Sequence, residues 1–243
     1  MIEAQQLKKS FGKVNAVKEV SFTAADGSIT GLLGPNGAGK STTLRMLYTI
    51  LKPDSGTAKI DQIDVTKNPL DARRRMGVFT HNPGIYPNLS ARENVAYFGK
   101  LYGLKSDVIK RRIEELGELL EMDNILDRRA KGFSQGQRTK VALARALIHE
   151  PQNILLDEPT NGLDVMATRS LRRIIRALKE QGKCVLFSSH VMQEVGALCD
   201  HAVIIADGQI AAEGSIDTLR ERTGEESLED AFIQLIGSER GLA

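Results

Sequence analysis

Cysteine is scarce in this chain: its 243 residues include only Cys184 and Cys199. Two cysteines exclude a disulfide framework and a zinc site, and each reads as a buried or incidental thiol. Long apolar runs are missing too. The longest candidates, Ile154–Leu156 and Ala202–Ala206, are strand-sized, whereas crossing a bilayer takes roughly 18–20 apolar residues. The opening segment MIEAQQLKKSFG has no apolar signal core, so the expectation is a chain that stays in the cytosol. Internal repeats and low-complexity segments are absent as well.

What is present belongs to a globular protein. Hydrophobic residues make up 41% and charged residues 26% of the chain, a balance that excludes disorder. The length exceeds the roughly 150 residues of a typical domain without forcing two. A single α/β domain with an inserted or appended piece fits. Net charge is +2 but unevenly spread: from Glu213 onward eight acidic residues accompany three basic ones. The basic remainder suits nucleic acid, an anionic membrane surface or phosphate-rich small molecules, and composition does not choose among them.

Alternating apolar residues at Ile2, Ala4 and Leu7, then Val14, Val17, Val20 and Phe22, predict antiparallel β structure, with Asp26-Gly27 as a turn. Ile29–Leu33 is a short apolar strand running into the glycine-rich Gly34–Gly39. Helical spacing follows over Lys40–Leu51, ending before Pro53, and Thr57–Val65 reads as a hairpin. From about Pro83 to Phe133 the pattern is helical, with amphipathic stretches Leu89–Leu104 and Asp107–Leu120 and no strand between them. Strands and helices then alternate: strand Asn153–Leu156, helix Val165–Gln181, strand Cys184–Ser188, helix Val191–Leu198, strand Ala202–Ala206. Such alternation implies a parallel sheet, so the helical stretch is an insert between two halves of one α/β core. The acidic tail has a helical pattern around Leu228–Ile236.

Gly34-Pro35-Asn36-Gly37-Ala38-Gly39-Lys40-Ser41 fits G-x-x-x-x-G-K-[ST], and it follows a predicted strand and opens a predicted helix. Glycines let the backbone wrap closely so that successive N–H groups point at phosphate oxygens. Lys40 supplies a point charge for the β- and γ-phosphates, and the Ser41 hydroxyl can reach Mg²⁺. The helix N-terminus aims its positive dipole at the same anion. In the second half, Ile154–Leu156 delivers two carboxylates, Asp157 and Glu158, at the end of an apolar strand. That strand is expected beside the P-loop strand. Asp157 then holds Mg²⁺ through water, and Glu158 faces the γ-phosphate without an obligatory partner, suited to activating a water.

With these motifs in register the sequence resembles the ATP-binding cassette family over nearly its whole length. Phe133-Ser134-Gln135-Gly136-Gln137 matches the family signature, in which the second of these residues after Phe133 is ordinarily glycine. Asn161-Gly162-Leu163-Asp164 resembles the dimer-contact loop, and His190 matches the switch histidine. The resemblance implies a P-loop NTPase, RecA-like α/β core with an N-terminal antiparallel β subdomain and an inserted helical subdomain. Residues 1–243 then form one ATPase domain: core 1–82 and 137–219, helical insert with signature 83–136, and short acidic tail 220–243. It implies an adenine-stacking role for Phe11 and phosphate contacts from Gly34 through Ser41 and Thr42. Ser134 and Gly136 are expected to reach the γ-phosphate of ATP held by an opposite subunit. Ser134 also reads as the N-cap of a helix Gln137–His149, and a helix N-terminus suits that contact. Catalysis falls to Glu158 and His190, and Mg²⁺ to Ser41 and Asp157. His81 stands where the family normally has a glutamine that touches Mg²⁺ and couples the site to the membrane partner, and imidazole is a poorer ligand for so hard a cation.

The implied protein is an ATPase subunit on the cytoplasmic face of a membrane, a homodimer or heterodimer of cassettes, with a separate permease docking at residues 83–133. Asn88–Val95, one cassette per chain and the acidic tail look most like drug-, sodium- or polysaccharide-exporter ATPases, with a lean towards sodium. The alternative is a soluble cassette acting on nucleic acid or ribosomes. Such proteins usually carry two cassettes or a long coiled coil between P-loop and signature, and no sustained heptad lies between Lys40 and Ser134. No nucleic-acid partner is expected. A P-loop GTPase would want an Asn-Lys-x-Asp loop, which is absent.

Overall fold

The computed structural model describes residues 1–80 and 84–237. Strands β1 (Ile2–Phe11) and β2 (Val14–Ala24) open the chain, and β3 (Ile29–Leu33) leads through the glycine-rich turn into α1 (Lys40–Leu47). There follow β4 (Ser55–Ile60), β5 (Ile63–Asp64), α2 (Pro69–Arg74) and β6 (Met76–Phe79). Helices α3 (Ala91–Leu101) and α4 (Ser106–Leu119) come next, with a 3₁₀ turn at Asp123–Ile125 before α5 (Gln135–Leu147). Alternation then resumes with β7 (Asn153–Asp157), α6 (Val165–Glu180), β8 (Cys184–Ser189), α7 (Met192–Leu198) and β9 (His201–Ala206). The last elements are β10 (Gln209–Gly214), α8 (Ile216–Thr223) and α9 (Leu228–Leu235). No helix among the described residues is long and apolar enough to cross a membrane.

Strand order is β5-β4-β1-β2-β10-β9-β3-β8-β7-β6. Strands β9, β3, β8, β7 and β6 run parallel, while β1, β2, β4 and β5 pair antiparallel, as the two hydrophobic patterns predict. One expectation is corrected. The strand bearing Asp157 does not lie beside the P-loop strand, because β8 runs between them and Ser188 is in register with both Leu32 and Asp157. Pairing order is set by long-range packing, which the local pattern of either strand does not encode.

Period-two alternation divides the core into two layers. Ile29, Ile154, Leu156, Val185, Phe187 and Ile204 face the helical layer built from α3 to α9. Leu32, Leu155, Leu186, Val203 and Ile205 face the layer that contains α1 and the antiparallel strands. Strands covered on both faces need apolar residues at every position, which is why these segments read as continuous apolar runs. Truncating one such side chain, Leu186→Ala for example, costs about 2–5 kcal/mol.

Helix α1 stops at Leu47, four residues short of the predicted end. Thr49 takes φ +66°, and the N–H groups of Ile50 and Leu51 both turn back to the Arg45 carbonyl at 2.9 and 3.0 Å. Helix α5 begins two residues before the predicted Gln137, since Ser134 closes a reciprocal capping box with Gln137. A matching box between Ser90 and Glu93 starts α3.

Candidate active site

The P-loop is bent by backbone that tolerates no side chain at two points. A Cβ on Gly34 would lie 2.2 Å from the Ile205 carbonyl oxygen, and one on Gly39, at φ +106°, would lie 2.5 Å from the Ala16 oxygen. Glycine alone allows both the close approach and the left-handed turn. The Ala38 N–H returns to the Pro35 carbonyl, and Gly208 N–H donates to the Ala38 carbonyl, fixing the loop between β2 and β9. Asn36 and Gly37, the latter at φ +81°, form its outward turn.

Lys40 opens α1 and folds back over the loop. Its ammonium donates to the Gly34 and Pro35 carbonyls at 2.7 and 3.0 Å and lies 4.0 Å from Glu158 Oε1. Burial pushes this amine below its usual range, while the Glu158 and Asp157 carboxylates oppose the shift. Helix α1 has no side-chain cap and no acidic residue in its first turn of Lys40, Ser41 and Thr42. That end is therefore suited to an anion. The fit to phosphate is good.

Ser41, on the same turn, donates from Oγ to Asp157 Oδ1 at 3.0 Å. Ser188 donates to the same carboxylate oxygen at 2.8 Å and accepts the Glu158 N–H at 3.0 Å. Thus β8, the intervening strand, supplies the hydroxyl that fastens the end of β7. Hydroxyl and carboxylate oxygens side by side suit a hard divalent cation that takes its remaining ligands from phosphate and water. His81 lies outside the described residues.

Among the described residues, Glu158 has two neighbours at its carboxylate. Its Oε1 stands 3.3 Å from His190 Nδ1, in addition to the Lys40 contact. With a carboxylate as acceptor, Nδ1 carries the proton. The groups converge because β3, β7 and β8 end, and α1 begins, at one edge of the parallel strands. Glu158 itself takes φ +49°, a conformation that a non-glycine residue holds only when its surroundings fix it.

The remaining predicted residues lie elsewhere. Phe11 sits at the β1–β2 turn, half exposed, with Lys9 Nζ 5.8 Å from its ring centroid. From there β2 runs to Ala16 and Val17, which back Gly39. Ser134 and Gly136 stand at the start of α5 and make no hydrogen bond or ion pair to the P-loop among the described residues. Ser134 Oγ accepts the Gln137 N–H at 3.2 Å. A Cβ on Gly136 would meet Ala167 at 3.1 Å, and one on Gly162 would meet Gln135 at 3.8 Å, so the signature packs against the Asn161–Asp164 loop. Asp164 caps α6 through the Ala167 N–H at 2.8 Å. Sequence reasoning missed Ser188, Ser189 and Glu194, whose side chains bind this site to β8 and α7.

Comparison with known proteins agrees with this geometry. The family model described as ABC transporter matches residues 17–161. The ABC transporter ATP-binding protein NatA of Bacillus subtilis (strain 168) is 45% identical over 221 residues, covering 90% of each chain. The Nod factor export ATP-binding protein I of Paraburkholderia xenovorans (strain LB400) is 37% identical over 218 residues, 90% of this chain and 72% of that protein. Among solved structures, a dimeric ATP-binding cassette in a post-hydrolysis state with ADP and Pi superposes with a TM-score of 0.79 at 25% identity, covering 88% of this chain and 98% of that one.

Proposed function

Since the chain belongs to the ABC transporter family and is an ATP-binding ATPase of that family, we propose that it powers export through a separate membrane subunit by closing as a dimer around two ATP molecules. The observation that carries this reading is the convergence of Lys40, Asp157, Glu158 and His190 at the end of the P-loop. Lys40 and the N–H groups of Gly37 to Thr42 bind the triphosphate, and Phe11 stacks on adenine. Glu158 takes a proton from the attacking water, and His190 holds its carboxylate. Ser41 and Asp157 hold Mg²⁺, which when bound neutralises charge on the phosphates. Ser134 and Gly136 act on the ATP of the opposite cassette.

Export is supported by the resemblance to a Nod factor export ATPase and by the exporter-like Asn88–Val95 region, and sodium or a drug is the cargo class proposed. A groove of about 350 Å³ supports the docking of a permease near the helical stretch 83–133. Phe98 of α3 and Tyr102 just after it form one wall, and Ile50, Arg73 and Val78 of the core form the other. In this reading the protein is peripheral, on the cytoplasmic side of the membrane. Purification from a detergent extract tests it. Wild type carries a multi-span membrane protein with it, Ile50→Glu in the groove releases that protein, and ATP turnover of the isolated chain is unchanged. Recovery of nucleic acid in place of a membrane protein contradicts the reading.

A further inference from the structure

The loop that carries Glu158 is gripped by two neighbouring hydroxyls at the end of β8. Ser188 accepts the Glu158 N–H at 3.0 Å. Ser189 comes next and points to the other face of the sheet. It donates to Glu194 Oε2 at 3.0 Å, and the same oxygen accepts the Thr160 hydroxyl at 2.6 Å. Ser189 Oγ in turn accepts the Val191 N–H at 3.0 Å, and the Glu194 N–H bonds the Val191 carbonyl at 3.1 Å.

Glu194 lies on the first turn of α7, 8% exposed, and makes no ion pair among the described residues. A carboxylate taken from water without a cation is costly unless donors satisfy it, and here two hydroxyls converge on one of its oxygens. What they tie together is specific. Thr160 follows Glu158 by two residues, and Ser189 and Val191 flank His190. One buried side chain therefore fixes the backbone on both sides of the 3.3 Å contact between Glu158 and His190.

We propose that Glu194 is a positioning residue for ATP hydrolysis: by gathering Thr160 and Ser189 it holds Glu158 in its left-handed backbone conformation with His190 alongside. The proposal rests on Glu158 as the proton acceptor, and Glu158→Gln separates the two ideas. Full activity in Glu158→Gln contradicts the assignment of the base, whereas loss there with normal Glu194 and Thr160 variants contradicts only the positioning.

The test compares the purified full chain with Glu194→Ala, Glu194→Gln, Thr160→Val and the Thr160→Val/Glu194→Ala double variant, reading kcat and ATP affinity separately. Misplacing a reacting group by about 1 Å costs on the order of a hundredfold. Glu194→Ala and Thr160→Val are therefore expected to lower kcat by roughly ten- to a hundredfold with ATP affinity unchanged. Glu194→Gln keeps a carbonyl oxygen that accepts both hydroxyls and recovers most of the rate. The double variant is no worse than Glu194→Ala, because both substitutions cut one connection. Wild-type kcat in Glu194→Ala or in Thr160→Val overturns the proposal, as do an equal loss of ATP affinity, a Glu194→Gln as slow as the alanine variant, or additive losses in the double. Should Glu194→Ala not fold, Thr160→Val, which removes one hydroxyl from a half-buried loop, decides the question alone.

Discussion

The Ser41 hydroxyl donates a 3.0 Å hydrogen bond to Asp157 Oδ1, joining residues 116 positions apart. This bond places one neutral and one anionic oxygen together at the P-loop, a donor pair that suits the Mg²⁺ site proposed there. Asp157→Asn keeps the shape and removes the charge. The Mg²⁺ concentration for half-maximal ATP turnover is expected to rise about ten- to a hundredfold, scaled from the effect of losing a supporting group at a metal site. A Mg²⁺ titration of both proteins checks it, and coincident curves contradict the assignment.

Lys40→Ala removes the ammonium that bridges the Gly34 and Pro35 carbonyls and the Glu158 carboxylate. No other side chain in the P-loop carries positive charge. Turnover is expected to fall below detection and nucleotide affinity to drop, measured with radiolabelled ATP. Turnover within a few-fold of wild type refutes the phosphate role.

Ser134 sits at the exposed start of α5, and the role in trans proposed for it gives a mixing experiment. Ser134→Arg puts bulk at the helix N-terminus while leaving its own P-loop intact. Mixed with Lys40→Ala, it forms heterodimers in which one composite site carries both defects and the other neither. ATPase activity is expected to reappear in the mixture although each variant alone is inactive. Absence of recovery in isolated heterodimers counts against independent composite sites.

His149 makes stability depend on pH. Burial pushes its imidazole down to about 4, against a hydrogen bond to the Met76 carbonyl that acts in the opposite direction. The ring also stacks on Tyr102 at 3.6 Å. The folded chain keeps this residue neutral while the unfolded chain takes up a proton below about pH 6.5. The stabilisation is therefore complete above that pH and is lost as pH falls towards 4, to a total of ~3 kcal/mol. His149→Gln keeps a donor for Met76 and does not titrate. Urea unfolding of the two proteins should show a steeper loss for wild type between pH 6.5 and 4.5, and parallel curves contradict the assignment.

The phosphate site was legible because its chemistry is contiguous: Gly34 to Ser41 is one turn, and Asp157-Glu158 ends one apolar run. Ser134 was legible as a cap for the same reason. Strand order was not, since Cys184–Ser189 enters between β3 and β7 by contacts far apart in the chain. Strand β6 has only four residues, Met76–Phe79, and follows three arginines, so it gave no alternation to read. Glu194 falls inside the predicted helix Val191–Leu198, where nothing in its spacing singles it out. Its burial depends on Thr160 and Ser189 arriving from two other elements, which no periodicity records.

Glu158 is proposed to accept the proton of the attacking water in a site that closes between two cassettes. Glu158→Gln preserves shape but cannot take a proton from water, so the most direct measurement is ATP turnover together with size exclusion of this variant in the presence of Mg-ATP. Retained ATP binding, hydrolysis reduced by roughly 10²–10⁴-fold as for loss of a general base, and accumulation of a dimer are expected. A variant that hydrolyses ATP at the wild-type rate and stays monomeric contradicts that role for Glu158.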